Sequence, residues 1–305
     1  LNRRGFANYQ VCKTCNYVYK CKNCDVSLTY HKFSNKLICH YCGYSESKTD
    51  RCRSCGAIDL DIVGMGTQKV EDEIADFFPQ AKIARMDYDA TRTKHGHADV
   101  IAKFENREVD ILVGTQMVTK GLDFDNVSLV GIMNADQLIN HPGFRSHERA
   151  FQLMMQVAGR AGRKNKKGQV IIQASDPDNP VIQNVLNGDF KKMYETELLG
   201  RINFSYPPFA RMAEITLQHR QLPNVEKSAL YLANETRRPG VGVVLGPGIP
   251  LITRVKNFYL REVLVKSPQN SRDLGPMKHR VQQVLDKMKT IPEFKGVEIS
   301  VDVDP

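Results

Sequence analysis

No run in this 305-residue chain approaches the ~20 consecutive apolar residues that a membrane-crossing helix needs. A helical span is therefore not expected, and neither is a membrane partner. No secretory signal is recognisable, and no cysteine lies outside Cys12–Cys55. Thiols confined in this way argue against a disulfide framework and for metal binding in a reducing cytoplasm. The chain also lacks a G-x-x-x-x-G-K-[ST] loop and the acidic D-E-x-H box that would hold Mg²⁺. GRAGRKNKKG is rich in glycine and lysine, but it has neither the spacing nor the hydroxyl residue. Without a phosphate cradle, the chain alone is not expected to hydrolyse a nucleotide. Leu1 stands where an initiator Met would, and LNRRGF reads as the end of a strand and its turn. The expectation is a piece of a longer polypeptide.

What is present is ordinary globular composition, 41% hydrophobic and 25% charged, with a net charge of +9 and a pI of about 9.1. The basic balance favours polyanionic partners. At a prior of about 150 residues per domain, the length suggests two domains and an insertion.

The eight cysteines form four Cys-x-x-Cys pairs, Cys12/Cys15, Cys21/Cys24, Cys39/Cys42 and Cys52/Cys55, separated by five, fourteen and nine residues. Each pair makes a tight knuckle that hands two thiolates to a tetrahedral Zn²⁺. The fourteen-residue gap suits an inner hairpin, which groups Cys21, Cys24, Cys39 and Cys42 on one ion. Cys12, Cys15, Cys52 and Cys55 then share the second, so that the insertion leaves and rejoins its host at one place. The alternative, sequential pairing, asks five residues to join both knuckles of one ion. Eight thiolates fill two closed sites, so His31 and His40 are expected at the surface. A segment of this size cannot bury enough core to fold alone, and the metal is expected to supply about 10–16 kcal/mol per site. Between Val11 and Gly56, eight Lys/Arg face three Asp/Glu, interleaved with Tyr17, Tyr19, Tyr30, Phe33, Tyr41 and Tyr44. Cations and rings together suit single-stranded or forked nucleic acid; two or three of the rings are expected to fill the hairpin core, and the others suit partner proteins equally well.

The segments around this insertion alternate. Ile58–Val63, Lys82–Asp87, Asp110–Gly114, Val127–Asn134 and Gln169–Ala174 read as strands. Thr67–Phe78 and His97–Phe104 read as helices, the first with Val70, Ile74 and Phe77 at helical spacing and Pro79 as its stop. Apolar strands alternating with helices predict a parallel sheet covered on both faces, with ligands at the carboxyl ends of its strands. Val181–Leu186 and Phe190–Ile202 read as helices before the stiff YPPF joint. Beyond it come strand Met212–His219, helix Val225–Arg237, a Gly/Pro turn GVGVVLGPG, strands Ile252–Val255 and Tyr259–Lys266, helix Arg272–Met288 and strand Val297–Val303. These describe a small two-layer α/β sandwich with no catalytic constellation.

The organising stretch is TQMVTKGLDF (115–124) followed by QVAGRAGR (156–163). A helix ending on Arg160 and Arg163 would present both guanidinium forks on one side, and such forks suit polyphosphate oxygens. Thr115 and Gln116 offer hydroxyl, amide and N–H groups to a strand phosphate. Gly121 permits the turn, and Asp123 suits a ribose hydroxyl. Gln156 is placed near the nucleotide phosphates. Asp136, His141, Arg145 and His147, between the two motifs, suit either contact with DNA or capping of the following helix, and capping is the stronger expectation.

These two motifs resemble motifs V and VI of superfamily 2 helicases, and MGTQKVEDEI (65–74) resembles the motif before them. With the cysteine pattern and the terminal SVDVDP, nearly the whole chain is similar to the PriA family of replication-restart DNA helicases. The resemblance implies a RecA-like second helicase lobe (1–11 and 56–203), an inserted two-zinc module (12–55) and a C-terminal α/β domain (204–305) that binds DNA and partners. It implies the nested zinc pairing, and two roles for motif V, at DNA and at nucleotide. It makes Arg160 and Arg163 arginine fingers, with ATP and Mg²⁺ gripped mainly by a first lobe absent from this chain. The implied work is 3′→5′ unwinding at stalled or branched forks and loading of the primosome. Implied partners are forked and single-stranded DNA, single-strand DNA-binding protein and other primosome proteins. In the C-terminal domain, Arg254, Lys256, Arg261, Lys266 and Arg272 are the charged contacts; Arg272 matches a family arginine beside the partner's acidic tail. The competing class is a non-enzymatic zinc adaptor that keeps helicase-like sequence as scaffold. An adaptor has no use for Gln156, Arg160 and Arg163 in register with the TQMVTKGLDF turn.

Overall fold

Short apolar strands, each followed by a helix that covers it, build the larger part of the chain. The computed structural model describes residues 7–87, 90–91, 96–115, 127–162, 168–238, 242–267 and 275–305. Contacts divide the chain into two units. The first comprises Leu1–Tyr19, Ser27–Ile38 and Ser45–Glu197; the second comprises Lys20–Val26, Cys39–Tyr44 and Leu198–Pro305. The cysteine-rich segment thus contributes to both.

In the first unit, β1 (Tyr9–Cys12) runs toward the first knuckle. A three-stranded antiparallel ribbon follows, β2 (Thr29–His31), β3 (Lys36–Ile38) and β4 (Ser45–Ser47), in the order β2-β3-β4. Its core is small: Leu28 and Leu37 are fully buried, with Tyr19 and Tyr30 close behind, while Phe33 is 99% exposed. His31 lies buried in β2 and not at the surface, because its strand faces inward at Tyr30 and His31 together.

β5 (Leu60–Val63) pairs antiparallel with β1, setting Cys12 opposite Leu60. Helix α1 (Thr67–Phe77) stops at Phe78, one residue before Pro79. The expected apolar face is shorter than its spacing suggests: Val70 is buried, but Phe77 is 79% exposed. β6 (Ile83–Met86), α2 (Gly96–Glu105) and β7 (Ile111–Gly114) form a parallel β-α-β unit, with Met86 at the centre of a cluster of Val100, Ile101, Phe104, Leu112 and Val127. β8 (Leu129–Ile132) pairs in parallel with β9 (Gln169–Ile172). Between them lie α3 (Asp136–Ile139) and α4 (Ser146–Ala158), and α5 (Pro180–Leu186) and α6 (Phe190–Asn203) follow. Ile132, Ile139, Phe151, Met154, Ile182 and Val185 make the principal core here. Each such side chain contributes about 1.5–3 kcal/mol by leaving water. Asn179 starts α5 by accepting a 3.0 Å hydrogen bond from the Val181 N–H, with Pro180 at the first helical position.

The second unit is a twisted antiparallel sheet under two helices. β10 (Met212–His219) precedes α7 (Leu222–Thr236), and β11 (Val243–Gly248), β12 (Arg254–Val255), β13 (Phe258–Lys266), α8 (Gly275–Thr290) and β14 (Glu298–Val303) complete it. The strand order is β11-β13-β10-β14, with β12 paired to β13. Ile215 lies opposite Val263 and sends its side chain to the same face as Leu217 and Val265, all fully buried. Val225, Ala229, Leu232 and Ala233 of α7 close over them, with Val284 and Met288 of α8.

Val243–Gly248, in the stretch expected to be a turn, form the edge strand β11. Crowding requires glycine just before it: a Cβ on Gly242, at φ +107°, would lie 1.9 Å from the Lys266 carbonyl oxygen. The pairing register shifts between Leu245 and Gly248. A bulge in a strand consumes the same residues as a tight turn.

Candidate metal centres and the strand-end site

Four knuckles present their sulfurs in two groups. Cys12, Cys15, Cys52 and Cys55 form one and Cys21, Cys24, Cys39 and Cys42 the other, with all four sulfurs of each within 4.8 Å of one another. The first group belongs to the first unit and the second to the second unit. Three of the knuckles are closed by their own backbone. The Asn16 N–H donates to the Cys12 carbonyl at 2.8 Å, that of Gly43 to Cys39 at 2.9 Å and that of Gly56 to Cys52 at 2.9 Å. Further N–H groups aim at sulfur, Ser54 to Cys52 at 3.3 Å, Asn23 to Cys21 at 3.4 Å and Tyr44 to Cys42 at 3.4 Å. The nearest sulfur pairs stand 3.6 Å apart for Cys12–Cys55 and Cys15–Cys52 and 3.5 Å for Cys21–Cys42. Four thiolates about 2.3 Å from one ion at tetrahedral angles lie roughly 3.8 Å apart. Donor set and spacing therefore both fit Zn²⁺, in the nested grouping and not the sequential one. Neither His31 nor His40 joins a group.

Sulfurs this close cannot all be anionic without a cation between them. Burial opposes ionisation of Cys12, yet the backbone N–H groups of Cys15 and Thr14 and its thiol neighbours hold it down at about 6. In the second group, burial likewise opposes ionisation of Cys42, but the Tyr44 N–H and the other thiols bring it to about 7. Cys21 and Cys55 shift the other way. Burial, with Cys42 and Cys39, pushes Cys21 up to about 12. The Ala57 N–H favours the Cys55 thiolate, but Cys15, burial, Cys12 and Cys52 outweigh it and raise that group to about 12.

The sheet's strand ends carry the second set of functional residues. Thr115 follows β7 at its carboxyl end, where its N–H donates to the Met86 carbonyl at 3.4 Å. Beside it, at the end of β6, Asp87 is wholly buried. Its carboxylate accepts from the Thr67 hydroxyl at 2.5 Å and the Ala90 N–H at 2.8 Å, and pairs with Arg85 at 3.0 Å. Arg85 in turn holds Glu71 of α1 at 2.9 Å. Burial raises the Glu71 carboxyl above the usual range, against the pull of Arg85. A cleft of about 520 Å³ opens at the carboxyl ends of β5, β8 and β9, lined by Met65, Lys69, Asn134, Gln173 and Ser175 among others. Met65 and Lys69 belong to the MGTQKVEDEI motif; for Asn134, Gln173 and Ser175 the rule that ligands gather at the carboxyl ends of parallel strands was the available signal.

Helix α4 ends at Ala158, before either arginine, with Gly159 as its cap. Arg160 lies in the turn that follows, half-buried, and Gln156 is exposed on the last helical turn. Gly162, at φ +76°, then donates its N–H at 3.0 Å to the Val127 carbonyl, just before β8. The turn that carries Arg160 therefore lies beside the amino end of β8. The left-handed turn at Gly162 reverses the chain, which a continuous helix could not do. Gln116, Gly121, Asp123, Arg163 and Arg272 lie outside the described residues. Of the residues between the motifs, Asp136 begins α3 and accepts from the Ser175 N–H and hydroxyl, each at 3.0 Å, and His147 Nδ1 lies 3.2 Å from Glu197. Two of the charged contacts expected in the C-terminal domain are internal. Arg261 is 8% exposed and pairs with Glu226; Lys266 is 7% exposed, donates to the Phe204 carbonyl at 2.9 Å and sits 3.8 Å from the Tyr206 ring centre.

A parallel-stranded lobe closed by a glycine–arginine turn, with two all-sulfur centres, defines the class: a helicase C-terminal lobe with a cysteine-rich region. Residues 62–165 match the helicase conserved C-terminal domain, and residues 21–46 match the PriA DNA helicase Cys-rich region domain. Residues 203–305 match the primosomal protein N C-terminal domain. The replication restart protein PriA of Bacillus subtilis is 38% identical over 307 residues, covering all of this chain and 38% of that protein. Those of Synechocystis (38% over 311 residues) and Treponema pallidum (37% over 311 residues) also align with the whole chain, which covers 36% and 46% of their lengths. The chain carries the PriA-type Cys-rich region and the primosomal protein N C-terminal domain beside a helicase C-terminal domain, and it spans less than half the length of these relatives.

Proposed function

We propose that this chain is the portion of an ATP-dependent 3′→5′ DNA helicase that completes the nucleotide cleft, holds two zinc ions and engages branched DNA for replication restart. The observation that carries the reading is the turn after α4, which sets Arg160 beside β8. Arg160 and Arg163 act as the arginine fingers. Gln156, Gly121 and Asp123 attend the nucleotide, and Thr115 and Gln116 the DNA backbone. The helicase lobe (1–11 and 56–203), zinc insertion (12–55) and C-terminal domain (204–305) divide the work. Cys12, Cys15, Cys52 and Cys55 hold one Zn²⁺, and Cys21, Cys24, Cys39 and Cys42 the other. ATP and Mg²⁺ are gripped by a lobe bearing the P-loop that this sequence lacks. Partners are forked and single-stranded DNA, single-strand DNA-binding protein (with Arg272 at that contact) and other primosome proteins, in the cytoplasm.

The test is DNA-stimulated ATPase. The chain alone should turn over negligibly. Joined to a P-loop-bearing first lobe, it should gain turnover that Arg160→Ala lowers by about 10³-fold or more, with zinc content and fork binding retained. Fork affinity should fall steeply with salt. Turnover by the chain alone, or an Arg160→Ala protein as active as its parent, would refute the assignment.

A further inference from the structure

The two sulfur groups are supported differently. Around the first, the N–H donors to sulfur come from its own knuckles, Thr14 and Cys15 to Cys12, Ser54 to Cys52 and Ala57 to Cys55. Around the second, Cys24 receives its N–H from Lys256, 232 positions along the chain, at 3.2 Å. Lys256 and Asn257, at φ +51° and +67°, are the two-residue turn joining β12 to β13, where Val255 pairs with Phe258. Two central residues of positive φ make the hairpin connection whose twist matches its strands, so the turn is pre-formed.

This turn holds the knuckle at several further points. The Asn257 N–H donates to the Asn23 carbonyl at 2.7 Å, and the Asp25 N–H to the Arg254 carbonyl at 2.9 Å. The Asp25 carboxylate pairs with the Arg254 guanidinium at 3.2 Å and accepts from the Thr253 hydroxyl. The Asn257 amide reaches the Asn23 side-chain oxygen at 3.3 Å. A centre of four thiolates on one divalent cation carries a net charge of −2, so an N–H aimed at sulfur and a cation alongside both favour the metal-bound state.

We propose that the β12–β13 hairpin of the C-terminal domain is the outer support of the second zinc centre, with Asp25 and Arg254 as its positioning residues. Metal retention there and order of the hairpin are then one equilibrium. Coupling of this kind is reciprocal: what loosens the hairpin releases the ion, and what removes the ion loosens the hairpin. The first centre is outside this linkage.

The experiment uses the full chain loaded with two zinc ions. Release to a chelator is followed with the indicator 4-(2-pyridylazo)resorcinol, and the two phases are assigned with Cys39→Ser, which lacks the second centre. Asp25→Ala/Arg254→Ala should speed the second-centre phase about tenfold or more and leave the other phase at its parental rate. An unchanged second phase, or equal acceleration of both, would overturn the proposal. Because the double variant removes two side chains, hydrogen exchange supplies an independent reading. In Cys39→Ser, the Lys256 and Asn257 amides should exchange at least tenfold faster, while Leu217 and Val263 keep their protection. Parental exchange at Lys256 and Asn257 would overturn it equally.

Discussion

Asp87 is the most exacting place to test the physical account of the lobe. Its side chain is 1% exposed, and its carboxylate serves Thr67, Ala90 and Arg85 at once. In Asp87→Ala the Thr67 hydroxyl and Ala90 N–H lose their acceptor, and Arg85, itself 18% exposed at the side chain, keeps Glu71. Removing one partner from a buried ion pair costs about 3–5 kcal/mol, because the charge left behind is uncompensated. At about 1.4 kcal/mol per tenfold, that is at least a hundredfold rise in the open population. The assay is hydrogen exchange at β6 and β7. Amides of Ala84, Arg85, Leu112 and Val113 should lose at least a hundredfold in protection, while Ile215 and Val263, in the second unit, should not change. The variant Asp87→Asn, whose amide oxygen still accepts a hydrogen bond from the Thr67 hydroxyl or the Ala90 N–H, should lose less protection than Asp87→Ala. A loss below tenfold in Asp87→Ala, or an Asp87→Asn protein no better than Asp87→Ala, would refute the reasoning.

Two further outcomes follow from the geometry. Zinc uptake by metal-free protein at pH 7 should release protons, because Cys21 and Cys55, pushed up to about 12, still hold theirs. Affinity must then fall as pH falls, and a pH indicator in weak buffer should register acid on mixing; uptake without acidification would contradict the grouping. Gly242→Ala should destabilise the C-terminal domain by at least about 2 kcal/mol, given its φ of +107° and the 1.9 Å approach to the Lys266 carbonyl. A melting temperature within a degree of the parent would show that the strand yields more easily than its contacts imply.

The legible parts of the sequence were those where a local rule acts alone. Pro79 stops α1 within two residues of the expected end, and the period-two pattern of Met212–His219 gives β10 its full length. Cysteine spacing identified both sulfur groups because a fourteen-residue gap can close a hairpin, whereas five residues crowd two knuckles. Where two structures share one chemistry, the pattern misled. The glycines of β11 read as a turn because a bulge and a turn both need residues without a Cβ. Arg160 read as helical because its spacing from Arg163 is helical, and only the hydrogen bond from Gly162 to Val127 reveals the reversal. Arg261 and Lys266 looked like surface charges, since burial by a distant Glu226 or a Phe204 carbonyl leaves no local trace. The support of Cys24 by Lys256 is invisible in sequence for the same reason, spanning 232 positions.

The outer sulfur group joins Cys12 to Cys55, 43 positions apart, across 3.6 Å. Bound metal there is a crosslink, and one closing a loop of this size removes on the order of 4 kcal/mol of chain entropy from the unfolded ensemble. That gain exists only while the ion is held. A chelator that removes the ion therefore weakens the β1–β5 pairing, which sets Cys12 opposite Leu60.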